Sequence, residues 1–269
     1  MTKTTSSRIE ELPRVWTPEA GWTILQDQEE IATFLFPAFG PGNYEKVIAQ
    51  VLSNRERGAN LPRGEQLAFL LDEAHNSANA KVKKSPRSEF VRKDIMYNGW
   101  LWVHHVNVWT PRKIKNPGMY SVFDEHGQGL DKEYTIEELE DRLNGGSTER
   151  GVRFSEDRRV AFAPLNTFRP GYHKKGTLSQ DGAFIANYGV KGAEALDRVA
   201  EQFRLNPYSF IVNNDSDKPI QSLSALYGGR NLDDDRLGAN FNSGGDYRDG
   251  YVVSVSGSNI NAEGSVPKK

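Results

Sequence analysis

Trp100-Leu-Trp-Val-His-His-Val-Asn-Val-Trp109 decides how the chain reads. Successive side chains on a strand point to opposite faces. One face carries Trp100, Trp102, His104, Val106 and Val108, and the other Leu101, Val103, His105, Asn107 and Trp109. Both faces are mostly apolar, so the segment predicts a central strand covered on both sides.

Outward from it, Met119–Phe123 predicts a second strand, and Val152–Phe154 with Val160–Phe162 predict a hairpin around Ser155–Arg158. Thr135-Ile-Glu-Glu138 has the spacing of a capping box, which starts a helix that stops at Gly145-Gly146. Ala183–Tyr188 predicts a strand, Gly189–Gly192 a turn, 192–204 a helix, Tyr208–Val212 a strand and Ile220–Tyr227 another. Strand, helix and strand within about 30 residues fit a βαβ unit. Tyr251–Val255 predicts an edge strand.

Toward the N-terminus, Asn43 caps a helix with Val47, Ile48, Val51 and Leu52 on one face, and a second helix runs from Gly64 to His75. A short loop between them predicts an antiparallel αα-hairpin. A short helix is expected at 28–36. The fold expected is α+β: a mixed, mostly antiparallel sheet covered by helices, with an N-terminal helical hairpin and one βαβ unit. The expected organisation is an irregular arm over 1–42, a single domain over 43–256 with an alternative split near 78–88, and a flexible tail over 257–269.

The 269 residues carry 34 Lys+Arg against 36 Asp+Glu, a net charge of −2, and no cysteine. Lack of cysteine excludes disulfides, thiol nucleophiles, iron–sulfur clusters and zinc sites with sulfur ligands. The near-zero charge removes the overall electrostatic argument for nucleic-acid binding. No signal-peptide pattern and no stretch of about 20 apolar residues is present, so a cytoplasmic chain without a membrane span is expected.

Five constellations are weighed. Trp100, Trp102 and His104 share a strand face and could stack on a ring and hydrogen-bond its edge; the competing reading is core. His173 lies in Arg169-Pro-Gly-Tyr-His-Lys-Lys175, where Arg169 and Lys174 could bind an anion and His173 act as acid or base, against a simple solvated loop. Gly189 and Gly192 could bring backbone amides to an anion, but neither a dinucleotide fingerprint nor a P-loop is formed. Lys81, Lys83, Lys84, Arg87, Arg92 and Lys93, with Phe90 and Tyr97, could follow a nucleic-acid backbone, against a solvated loop. Asp233, Asp234 and Asp235, with Asp246 and Asp249, lack the spacing of a calcium loop. There is no G-x-S-x-G elbow, no histidine-pair zinc signature, and no cofactor or metal site is expected.

The function expected is therefore a non-enzymatic partner-binding or assembly protein, of the kind a virus or mobile element encodes as an accessory. Its partner would be another protein or a second copy. The alternative is an enzyme acting on a phosphorylated or anionic small molecule through His173. The third reading is nucleic-acid binding through 81–93.

Overall fold

The computed structural model describes residues 21–26, 29–229 and 235–256. In chain order its strands are β1 (Trp22–Gln26), β2 (Glu29–Gly42), β3 (Ala59–Asn60), β4 (Trp100–Trp109), β5 (Gly118–Phe123), β6 (Ser147–Glu149) and β7 (Val152–Phe154). They continue as β8 (Val160–Pro164), β9 (Gly171–Tyr172), β10 (Tyr208–Phe210), β11 (Ile220–Gly228), β12 (Leu237–Ser243) and β13 (Gly250–Ser256). The helices are α1 (Tyr44–Leu52), α2 (Gly64–Asn76), α3 (Ala80–Lys83), α4 (Pro86–Phe90), α5 (Ile136–Leu143) and α6 (Gly182–Ala200), with π-helical turns at Val91–Tyr97.

One 13-stranded mixed sheet organises these residues, in the order β6-β7-β8-β5-β4-β11-β12-β10-β9. β13 joins it through a parallel pairing with β4 and ties in β2 and β3, and β2 pairs β1. β4 lies inside the sheet with apolar side chains on both faces. Leu101, Val103 and Trp109 pack with α2, α6 and the π-helical turns on the inner face. Trp102, Val106 and Val108 pack with α1 and α5 on the outer face.

This architecture replaces the expected α+β arrangement in several places. No N-terminal helical hairpin forms. The apolar face of α1, Val47, Ile48 and Val51, is buried in the outer cluster, whereas Leu67, Leu70 and Leu71 of α2 are buried in the inner one. Between the helices the chain turns through Gly58, at φ 87°, and pairs as β3 with β13. The two helices therefore cover opposite sides of the sheet instead of each other.

The βαβ unit is also absent, because 183–188 is the first part of α6. Asp181 caps that helix, accepting from the Ala183 and Phe184 amides. Every residue from Gly182 to Tyr188 is buried, which erases the helical period on which recognition depends. Gly189, expected in a turn before the helix, is a kink within it at φ 68° and ψ 170°.

Finally, the expected helix at 28–36 is part of β2, and β13 is an interior strand rather than an edge. β10 pairs β9 antiparallel and β12 in parallel. β12 itself lies in a stretch rich in Gly, Asn and Ser that gives no obvious strand signal. The described part of the expected arm, from Gly21 on, forms β1 and β2, while residues 1–20 and the expected tail at 257–269 lie outside the described residues.

Inside the inner face a closed polar network joins three strands to α6. The Asn107 amide donates to Ser224 Oγ at 2.7 Å, the Ser224 hydroxyl to Asn187 Oδ1 at 2.9 Å, and the Asn187 amide back to Asn107 Oδ1 at 3.2 Å. Ser222 takes the Trp109 indole N–H at 2.8 Å and donates to the Phe241 carbonyl at 2.7 Å. Buried polar groups satisfied in this way fix the helix and strands in one register.

Candidate functional site

The outer face is covered by α1 and α5 over part of its width, and beyond them the sheet carries aromatic rings. Strand alternation puts Leu237, Ala239 and Phe241 of β12 in the inner core, so Gly238, Asn240 and Asn242 face outward. Register then aligns a row across five strands. Tyr172 of β9 is opposite Tyr208 of β10, Tyr208 opposite Gly238, and Gly238 opposite Tyr227 of β11. Leu226 opposite Leu101 carries the row on to Trp100 of β4.

The rings touch along the row. Tyr172 and Tyr208 meet edge to face at 4.9 Å between centroids, and Tyr208 and Phe210 are 4.7 Å apart. Trp100 is 4.6 Å from Tyr227 and stacks on Tyr247 at 4.3 Å with 6° between planes. Tyr247 accepts a hydrogen bond from the Asn240 amide at 3.3 Å. Gly238 makes room for the Tyr227 ring, since a Cβ there would sit 2.0 Å from Tyr227 Cζ. The Arg236 guanidinium lies over the Tyr172 ring at 4.9 Å, a cation–π contact. Tyr172 is 69% exposed, and Phe210 and Tyr247 are also exposed.

Beneath the row, His173 and Ser209 anchor its outermost strands. His173 Nε2 and Ser209 Oγ are 2.8 Å apart, and Ser209 Oγ donates to the Arg169 carbonyl at 3.2 Å. On the other side of the ring, Nδ1 is 3.8 Å from Asp181 Oδ2. Burial lowers the His173 pKa, and burial raises the Asp181 carboxyl to about 6 against the three amides it accepts from. The imidazole is thus neutral near pH 7 and sits edge to face on Phe184 at 5.4 Å. All three side chains are buried, so this serine, histidine and aspartate form an internal clasp between β9, β10 and the start of α6.

Of the other residues singled out in the sequence, Trp100 belongs to the row and is half-buried. Trp102 is fully buried against Tyr44, edge to face at 5.6 Å. His104 is fully buried as well, and neither ring nitrogen has a hydrogen-bond partner among the described residues. Burial, with the neighbouring His105, pushes its pKa down to about 3. Arg169 and Lys174 are exposed beside β9. Gly189 and Gly192 lie farther along α6, packed against Glu65 of α2, and do not join His173.

The basic segment is divided by its contacts. Lys81, Lys83 and Lys84 are exposed on α3 and its C-cap. The Arg92 guanidinium donates to the carbonyls of Ala74 at 2.6 Å and Lys83 at 2.8 Å, Lys93 pairs with Glu89, and Arg87 lies over the Phe36 ring. Asp233 and Asp234 lie outside the described residues, and the Asp235 carboxylate accepts from the Arg204 amide at 3.2 Å. Among the described residues no group of three His, Cys, Asp or Glu could hold a metal ion, and no helix is long and apolar enough to cross a membrane.

No family model matches the chain. No curated protein matches it either. A solved structure described as "Accommodation of massive sequence variation in Nanoarchaeota by the C-type lectin fold" is similar over 81% of this chain and 97% of its own, with a TM-score of 0.47 and 14% identity.

Tyr172, Tyr208, Phe210, Tyr227 and Tyr247 were not singled out from the sequence. The signal present was the alternation Tyr208-Ser-Phe210, which puts two rings on one face of a short strand. Tyr172 adjoins the His173 that drew attention, but the row exists only once β9 and β10, 36 positions apart, are paired.

Proposed function

We propose that the chain is a binding protein whose outer aromatic row seats a protein partner. One observation carries the reading: Tyr172, Tyr208 and Phe210 are in ring contact on the outermost strands β9 and β10, with Tyr172 and Phe210 exposed. An outermost strand is ordinarily kept polar to avoid unwanted association. Tyr, Trp and Arg dominate the residues that carry interface energy, and this face supplies Trp100, Tyr172, Tyr208 and Tyr247, backed by the buried Tyr227 and Arg236. The rings hold one another in place, so little side-chain freedom is lost when a partner docks. Asn242, Asp246, Arg248 and Asp249 are exposed near the row and supply the polar rim typical of such interfaces.

The test compares the tagged wild-type chain with the Tyr172→Ser/Phe210→Ser double variant in cells of the source organism. A protein retained by the first and lost by the second supports the reading. A second copy as the partner would show as a dimer in light scattering that the same substitutions convert to monomer. Equal retention, with equal mass in solution, contradicts it.

A further inference from the structure

Toward the other end of the sheet from β9, beside β5, β8 and β7, a cavity of about 720 Å³ opens near α5. Its volume is in the range of small-molecule sites, about 300–1,000 Å³. Pro117, Phe162, Pro164 and Leu165 make its apolar wall, and the polar positions are Lys115, Asn116, Glu140, Arg153 and Asn166.

The charges sort themselves. Glu140 is fully engaged: Arg153 Nη1 donates to Oε2 at 2.9 Å, Nη2 to Oε1 at 2.5 Å, and the Tyr120 hydroxyl also donates to Oε1. These contacts hold the Glu140 carboxyl below its usual pKa, with the Arg153 hydrogen bonds the largest influence. The Arg153 guanidinium lies on the Phe162 ring at 4.9 Å, closing that side of the wall. Arg153 and Glu140 therefore cancel. Lys115 is exposed and makes no ion pair among the described residues. The cavity is left with one uncompensated positive charge beside two side-chain amides and an apolar wall.

We propose that this cavity binds a small aromatic monocarboxylate. The ring would lie along Pro117, Phe162, Pro164 and Leu165, and the carboxylate would accept from the Lys115 ammonium and the amide N–H groups of Asn116 and Asn166. A monoanion matches the single free charge, whereas a phosphate dianion would bring a second negative charge with no partner. This site is separate from the aromatic row and does not depend on its role.

The probe is phenylacetate, titrated into the full chain by calorimetry and by amide NMR, with phenylacetamide as the neutral analogue of the same shape. The expected result is saturable binding that shifts the amides of Asn116, Leu165 and Asn166, with phenylacetamide about tenfold weaker or worse, a difference of about 1.4 kcal/mol. Lys115→Gln and Asn166→Asp both change exposed side chains, and each should weaken phenylacetate about tenfold and phenylacetamide by a smaller factor, since the amide carbonyl loses a donor but no ionic partner. No saturation by about 20 mM, equal binding of acid and amide, or shifts that map elsewhere would overturn the proposal.

Discussion

Tyr172 and Tyr208 are directly opposite each other on antiparallel strands, and their rings meet edge to face on the side of the sheet away from α6. Immediately behind them, His173 and Ser209 point the other way and join at 2.8 Å. Each strand thus contributes one ring outward and one polar group inward. The inward pair fixes the position of the outward one.

Tyr172→Ser should leave folding almost untouched, within about 0.5 kcal/mol, because its side chain is mostly exposed, whereas Phe210→Ser should cost about 1 kcal/mol, because that ring is partly buried on Tyr208. Against the partner, the double variant should lose about 2 kcal/mol or more, at least thirtyfold in affinity. Urea denaturation measures the first and calorimetry with the recovered partner the second.

Gly238→Val should disturb the middle of the row. The added Cβ meets the Tyr227 ring at 2.0 Å, and that ring is buried against Trp100. Overpacking of this kind costs about 1–3 kcal/mol. The urea midpoint should fall, and the tryptophan fluorescence should change as Tyr227 is displaced from Trp100.

Asn187→Ala should cost about 2–3 kcal/mol, since it leaves the Asn107 carbonyl oxygen and the Ser224 hydroxyl buried without the partner each has now. Asn187→Asp should be worse, because it places an ionised group where an amide donates. Both are read from denaturation curves at pH 7.

Acid should destabilise the fold, with His104 and His105 as principal causes. Burial depresses both to about 3, while the unfolded chain binds protons near 6.5. Between those values the unfolded state holds more protons, so stability falls as pH falls, by about 1.4 kcal/mol per pH unit for each histidine. Asp181 acts in the opposite sense: raised to about 6 by burial, it holds a proton in the native state between about pH 4 and 6 that the unfolded chain has released. The histidine effect is the larger. His104→Leu removes one share of it and two unpaired buried nitrogens. The variant should be about 1 kcal/mol more stable at pH 7.5, with the gap widening toward pH 5. Parallel curves for the two proteins across that range would contradict this assignment.

The central part of the fold was legible where a period was visible. Trp100–Trp109 alternates because both of its faces pack on different layers, and Thr135 announces α5 because its hydroxyl accepts from the Glu138 amide at 3.2 Å. Legibility failed where burial or small residues hide the period. Ala183–Tyr188 is buried throughout and reads as an apolar run of no definite type. β12 shows Leu237, Ala239 and Phe241 at period two, but glycine and asparagine between them resemble a loop. The helical hairpin failed for another reason: the amphipathic faces of α1 and α2 were real, but amphipathicity does not specify which surface covers them. The aromatic row was invisible because it depends on register between β9, β10, β12, β11 and β4, and on a parallel pairing that no local pattern encodes. Trp100 was found because it begins a long strand with apolar side chains on both faces.

The most direct measurement of the proposed role is photo-crosslinking in the source cells with benzoylphenylalanine placed at Phe210, and at Glu201, exposed at the end of α6, as control. A partner engaged by the aromatic row predicts one discrete crosslinked species from position 210 that is absent from position 201 and lost when Tyr172→Ser is added. No adduct at 210, or the same adducts from both positions, would contradict it.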